Sequence, residues 1–422
     1  MKLFSYSTFL LIFLLCFLLS ILIVCDSTDL VKGPILVGLD QVNNYSQLFK
    51  GKHIGIIANN TAYNSQGRFI TDIFQSIKDV HLAALFGPEH GFKSQAEAGA
   101  PVHSVMDSSL NIPVYSLYGY TRKPTPEMLT GVDLLVFDVQ DAGARYFTYI
   151  YTMALAMEAA AERGIPFVVL DRPNPINGQE VEGNILETDF ASFVGMYPIP
   201  VRHGMTSGEL ARMFNEEGWL KGGIKAGLTV IPLKNWNRKM WYDQTGLNFI
   251  KPSPNLPTLL SVTAYPGSCL LEGSNISEGR GTLLPFLIFG APWIETGRLS
   301  QQLNQLNLKG IQFSDTLFTP VAIPRMAENP KYQDTLCSGI KVRITDREKF
   351  IPYRSGIFII KTIHDLYPDR FSWRTRHFDL LCGSDQIRLA IESGDNLDSL
   401  INSWQTKLDE FKMLREKYLL YD

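Results

Sequence analysis

The sequence predicts an α/β protein: an open, doubly wound, mainly parallel sheet over about 33–233, followed by a second, smaller α/β domain over 234–422. Three observations predict it. Short aliphatic runs recur that are apolar on both faces. Helical stretches separate them, and a polar loop follows each run.

The runs lie at 54–58, 82–86, 112–117, 134–137 and 167–170. They are too short for buried helices and carry no polar alternation, which fits strands covered on both sides. Between them, 146–163 is Ala- and Met-rich and closes at Gly164, while Thr125-Pro126-Glu127 opens a short helix that Gly131 ends. Thr206-x-x-Glu209 reads as a capping box for a helix stopped by Gly218. The segment 235–266 is rich in Pro, Asn and Trp, has no clear period, and reads as a crossing between domains. Beyond it, strands are expected at 283–289, 339–345 and 357–362, with helices near 296–306 and 397–418; a helix over 355–367 competes with the last strand.

The first residues read as an export signal: Met1-Lys2, an apolar run over 9–24, then Cys25-Asp26-Ser27-Thr28. A cleaved signal is favoured, although the run approaches the length of a membrane-spanning anchor. Cys25 sits where a bacterial lipoprotein carries its lipidated cysteine, but Val24 is bulkier than the small residue such processing prefers. Localisation outside the cytoplasm, in the periplasm or attached to the cell envelope, is expected on either route.

A formal net charge of -3 gives no bulk field for nucleic acid. Beyond the leader, Cys269, Cys337 and Cys382 are an odd number and far apart, so buried thiols are expected instead of a disulfide scaffold. No CxxC, HExxH, GxGxxG or GxxxxGK[ST] pattern is present. Neither zinc nor a dinucleotide or P-loop site is supported, and no cofactor is expected. Oligomeric state is not legible.

In an open parallel sheet, ligands bind beyond the carboxyl ends of the strands. Asn59 follows the first run; Glu89 and His90 follow the second; Asp138, Gln140, Asp141 and Arg145 follow the fourth; Asp171, Arg172 and Asn174 follow the fifth. This density of carboxylate, amide and guanidinium suits a polar ligand. Glycoside hydrolysis uses such groups, since one carboxylic acid protonates the leaving oxygen and a second carboxylate acts across the ring. Glu89 is the first candidate, with Glu182 (Glu180 competing) and Glu278 as further catalytic carboxylates. Arg145, Arg172, Arg202 and Arg280 are anion clamps by type, and His203 a group to polarise a ligand oxygen. Each has a structural role in competition: ion pairing for the arginines, capping for Asp141, a satisfied buried histidine for His203, core packing for Trp236, Trp241, Tyr265 and Trp293.

Seven runs then carry a resemblance: FGPEHGF (86–92), GVDLLVFDVQDAGARYFTYIYTM (131–153), VLDRPNP (169–175), VEGN (181–184), RHGMTSGELA (202–211), PSPNLPT (252–258) and EGSNISEGRGT (272–282). In order and over nearly the whole chain after the leader, they resemble the exo-β-N-acetylmuramidases of the NamZ type. The resemblance implies a Rossmann-like domain joined to a smaller one, a cleft between them carrying Glu89, His90, Asp171, Glu182, Glu278 and Arg280, and release of N-acetylmuramic acid from the non-reducing end of peptidoglycan-derived saccharides. A non-catalytic muropeptide-binding envelope protein is the competing reading; it predicts saturable binding without turnover.

Overall fold

Why the aliphatic runs become strands is visible in the computed structural model, which describes residues 33–92 and 105–422. The leader, with Cys25, lies outside the described residues. β1 (His53–Ala58), β2 (His81–Gly87), β3 (Val105–Asp107), β4 (Ile112–Ser116), β5 (Leu134–Asp138), β6 (Phe167–Leu170) and β7 (Leu228–Ile231) form a seven-stranded sheet in the order β3-β4-β2-β1-β5-β6-β7. All pairings are parallel except β3 with β4. The chain builds outward from β1 on one side through β2 and β4, then crosses to add β5, β6 and β7 on the other. The order therefore reverses between β1 and β5, as in a doubly wound sheet.

Both faces of the central strands are buried because side chains alternate across the pleat. Ile54, Ile56, Val136 and Val168 pack into one core, while Ile57, Leu135, Phe137, Phe167 and Val169 pack into another. The helix Tyr149–Glu162 covers the second face and is buried along most of its length. That second core does not stop at the first sheet. It runs on into β8 (Ile288–Ala291), β9 (Ile311–Phe318) and β10 (Cys337–Ile344), an antiparallel sheet ordered β8-β10-β9, through Phe289, Phe313, Ile340 and Val342. Residues Ile35–Asp422 form one compact unit.

Several expected elements differ. The expected short helix is absent, and 126–131 is a run of turns. The expected strand at 283–289 is confined to Ile288–Ala291, because 282–287 turns to close the Glu278 loop. The strand at 357–362 is absent, and the competing helix forms as Pro352–Leu366: Tyr353, Ile357, Ile360 and Ile363 are buried at helical spacing. The segment 235–266 is irregular until the helix Leu259–Ser268 begins. The helix at 397–418 is two, Leu397–Ser403 and Gln405–Glu416, divided at Trp404. The capping box holds, with Thr206 Oγ1 accepting from Glu209 N and the Glu209 carboxylate accepting from Thr206 N. Cys269, Cys337 and Cys382 are free and buried.

Candidate active site

The GPEHG turn is folded tightly onto the end of β2. Gly91 N donates to Pro88 O at 2.8 Å, and His90 and Gly91 both take left-handed φ, 71° and 78°. A Cβ on Gly87 would lie 2.3 Å from Phe92 N, so only glycine lets the chain double back there. This turn presents Glu89 to the amino end of the helix Tyr149–Glu162, where Thr148 Oγ1 donates to Glu89 Oε2 at 2.7 Å. Burial and the adjacent Glu89 carboxyl push the Tyr118 phenol up. His90 is buried, its Nε2 3.1 Å from Ser253 Oγ.

Across an open cavity of about 620 Å³ stands the 277–281 loop. Ser277 and Gly290 exchange backbone hydrogen bonds, and Phe286 N donates to Glu278 O at 2.8 Å, pinning the loop to β8. Gly279 and Gly281 at positive φ set Glu278 and Arg280 side by side. Glu278 is 3% exposed; Arg280 Nε lies 3.3 Å from its Oε1 and Lys331 Nζ 3.1 Å from its Oε2. Lys331 is itself anchored on the carbonyls of Leu271 and Ile276, and Arg280 Nη2 reaches Glu272 Oε1 at 2.7 Å. Burial pushes the Glu272 carboxyl up, but the Arg280 guanidinium and His377, 3.8 Å away, outweigh it and hold the carboxyl below its ordinary range. Glu89, His90, Glu278 and Arg280 therefore line one cavity, with Tyr265 also in its wall.

The other candidates lie outside that lining, and most of them hold the fold. Arg172 and Asp138 form a buried bidentate pair, and Arg172 Nη2 also donates to Tyr63 O. Asp171 is fully buried and accepts from Arg172 N, Gly208 N, Thr206 Oγ1 and Tyr421 Oη; burial pushes its carboxyl up to about 6. Arg145 spends its guanidinium on the carbonyls of Asn184, Ile199, Leu381 and Cys382, the last two ending the helix Thr375–Cys382. Arg202 donates to Ile176 O and stacks 5.6 Å from the Trp241 ring. Glu182 Oε1 accepts from Arg354 N in the first turn of the helix Pro352–Leu366, and burial pushes its carboxyl up to about 7. Asn174 bridges Met205 O and Ile176 N.

Asn59 Oδ1 takes both donors of Thr61, and Asp141 Oδ2 accepts from Gly143 N, a turn bond and not the helix cap that competed with a ligand role for it. His203 Nδ1 accepts from Met205 N, with Nε2 3.7 Å from Asp141 Oδ2. Trp236 and Trp241 are buried in the core, and Trp293 packs on Tyr367. The sequence reading had not singled out Tyr118, Arg122, Thr148, Glu272, Lys331, Arg374 or His377, all of which line the cavity. Glu272 and Thr148 lie within the quoted runs and could have been found there. Lys331, Arg374 and His377 sit on segments with no chemical pattern of their own.

Two family models described as exo-β-N-acetylmuramidase NamZ match the chain, the N-terminal one over 54–260 and the C-terminal one over 263–421. The chain belongs to this family. Its membership makes it a glycoside hydrolase. A Bacillus subtilis (strain 168) protein described as peptidoglycan β-N-acetylmuramidase NamZ is 50% identical over 392 residues, 92% of each chain. Two crystal structures of DUF1343 family proteins from Bacteroides fragilis NCTC 9343 superpose with TM-scores of 0.84 and 0.76 at 39% and 36% identity. Each match covers 92% of this chain and 99% of the other.

Proposed function

We propose that this NamZ-family enzyme releases N-acetylmuramic acid from the non-reducing end of peptidoglycan fragments, with Glu89 and Glu278 as the reacting carboxyl groups. The observation that carries the reading is that these two carboxyls, from loops 189 residues apart in the chain (278 less 89), line one cavity while Glu182 does not. Hydrolysis of a glycosidic bond needs an acid at the leaving oxygen and negative charge beside the anomeric carbon. Glu278 is ion-paired with both Arg280 and Lys331, so its charge is committed, and it suits stabilisation of the cationic transition state. The proton for the leaving oxygen then falls to Glu89, which Thr148 orients. Export belongs to the same reading: the apolar run over 9–24 would deliver the enzyme to the envelope, where its polymer lies.

Glu89→Gln is expected to lower turnover of a chromogenic N-acetylmuramide by roughly 10²–10⁴-fold with the thermal transition unchanged. Full activity in that variant would remove Glu89 from the chemistry. Saturable binding of a disaccharide fragment by the wild type, with no sugar released on prolonged incubation, would favour the muropeptide-binding alternative.

A further inference from the structure

The cavity carries more cationic groups than its carboxylates neutralise. Arg280 is paired with Glu278 and Glu272, and Lys331 with Glu278. Arg374 is partly used, since its Nη1 donates to Glu272 O at 3.2 Å. Arg122 stands apart. Its guanidinium lies over the Phe193 ring, 4.2 Å from the centroid, and among the described residues it makes no ion pair or hydrogen bond. Stacking fixes the plane of a guanidinium while leaving its N–H groups at the edge available, the arrangement that receives a carboxylate through two parallel bonds.

The position of Arg122 relative to Glu89 matters as much as its charge. Glu89, Tyr118 and Arg122 line the same cavity, and the Tyr118 phenol is raised by the Glu89 carboxyl and lowered by the Arg122 guanidinium. Tyr118 and Phe193 are themselves in ring contact, 6.1 Å between centroids, which makes Tyr118, Phe193 and Arg122 one wall of the cavity. A pyranose whose leaving oxygen lies at Glu89 carries its C3 substituent two ring carbons from the scissile bond. In muramic acid that substituent is the lactyl ether, ending in a carboxylate; in glucosamine it is a neutral hydroxyl.

We infer that Arg122, held over the Phe193 ring, binds the lactyl carboxylate of the terminal muramic acid and so sets the sugar specificity of the cavity. The inference rests on the muramidase reading above and adds to it the residue that selects the substrate. It also explains the cationic group left over in the cavity lining. The carboxylate of the substrate supplies the counter-charge that the protein does not provide.

The test compares two chromogenic glycosides, N-acetylmuramide with its free lactyl carboxylate and the same compound with that carboxyl converted to an amide. Wild type is expected to prefer the free acid. Arg122→Gln should lower kcat/KM on the acid by roughly 10- to 100-fold while leaving the amide unchanged, so that the preference disappears; Arg122→Lys, which keeps the charge but loses the fork, should restore part of it. Equal losses on both substrates would assign Arg122 to packing alone and overturn the inference, as would an unchanged rate on the acid or a wild type indifferent to the amide. Wild type inactive on both glycosides would bring down the muramidase reading itself, and the carboxylate site with it.

Discussion

Glu89 owes its position to a backbone that few sequences tolerate: a glycine closing against Phe92, a histidine and a glycine in left-handed φ, and a threonine hydroxyl waiting at the helix end. Thr148→Val keeps the shape of that side chain and removes only the donor. An ordinary hydrogen bond is worth about 0.5–1.5 kcal/mol, so kcat on the muramide is expected to fall by roughly two- to tenfold, with KM and the melting temperature little changed. An unaltered kcat would mean that other contacts position Glu89. At this scale the sequence is informative about which groups terminate a strand and poor about what they touch. Glu89 and Arg172 look alike as polar residues after aliphatic runs. The first faces the cavity, whereas the second is closed into a buried pair with Asp138 and a bond to Tyr63 O. Partners that lie far along the chain leave no mark near the residue they hold.

Asp171 makes the same point among elements. It follows β6, caps the helix Ser207–Glu216 through Thr206 and Gly208, and receives Tyr421 from the far end of the chain. A Cβ on Gly208 would come within 2.8 Å of the Asp171 carboxyl, so the helix can approach only because that residue is glycine. Burial raises the carboxyl from 3.8 to about 6, which means the folded state binds a proton more tightly than the unfolded chain. The resulting stabilisation is fully present below the unfolded value and is lost as pH rises through about 6. Its size is on the order of 3 kcal/mol. Asp171→Asn removes the titration: the amide oxygen can accept from Gly208 N and Arg172 N, and the amide nitrogen can donate to the hydroxyls of Thr206 and Tyr421. The variant is therefore expected to show a flatter dependence of thermal stability on pH between about 4 and 6.5, read from unfolding curves across that range. A slope equal to wild type would exclude Asp171 as its source. Strands are legible where a short, wholly apolar run is bounded by polar loops, as in β5 and β6, and not where helical and extended spacings compete. The β-branched run at 357–362 suggests a strand until Tyr353 and Ile363 are included, when helical spacing takes over.

For the whole molecule the question is whether the two sheets fold as one. The family models divide the chain near residue 260, close to the crossing that composition suggests, yet the core ignores that division. Phe137 of β5 and Tyr149, Ile150 and Met153 of the helix behind it belong to the same buried cluster as Phe289, Ile340, Tyr353 and Ile357. Arg145 reaches from the first part to the end of the helix Thr375–Cys382, and Glu182 to the start of Pro352–Leu366. The last residues return the connection: Tyr421 Oη donates to Asp171 while accepting from Leu233 N, and Leu420 N donates to Glu209 Oε1. Hydropathy along the chain shows that each half contains enough apolar residues for a core, but not that the halves share one. Separating them would expose the common cluster and strip Arg145, Asp171 and Glu182 of the bonds they make to the Thr375–Cys382 helix end, Tyr421 and Arg354, costs that fall on both pieces at once. The 33–422 region is accordingly expected to unfold in a single calorimetric transition, and 33–260 and 261–422 expressed separately to be insoluble or unfolded. Two resolved transitions, or a folded isolated half by circular dichroism and hydrogen exchange, would show that the shared core contributes less than the independent packing of each sheet.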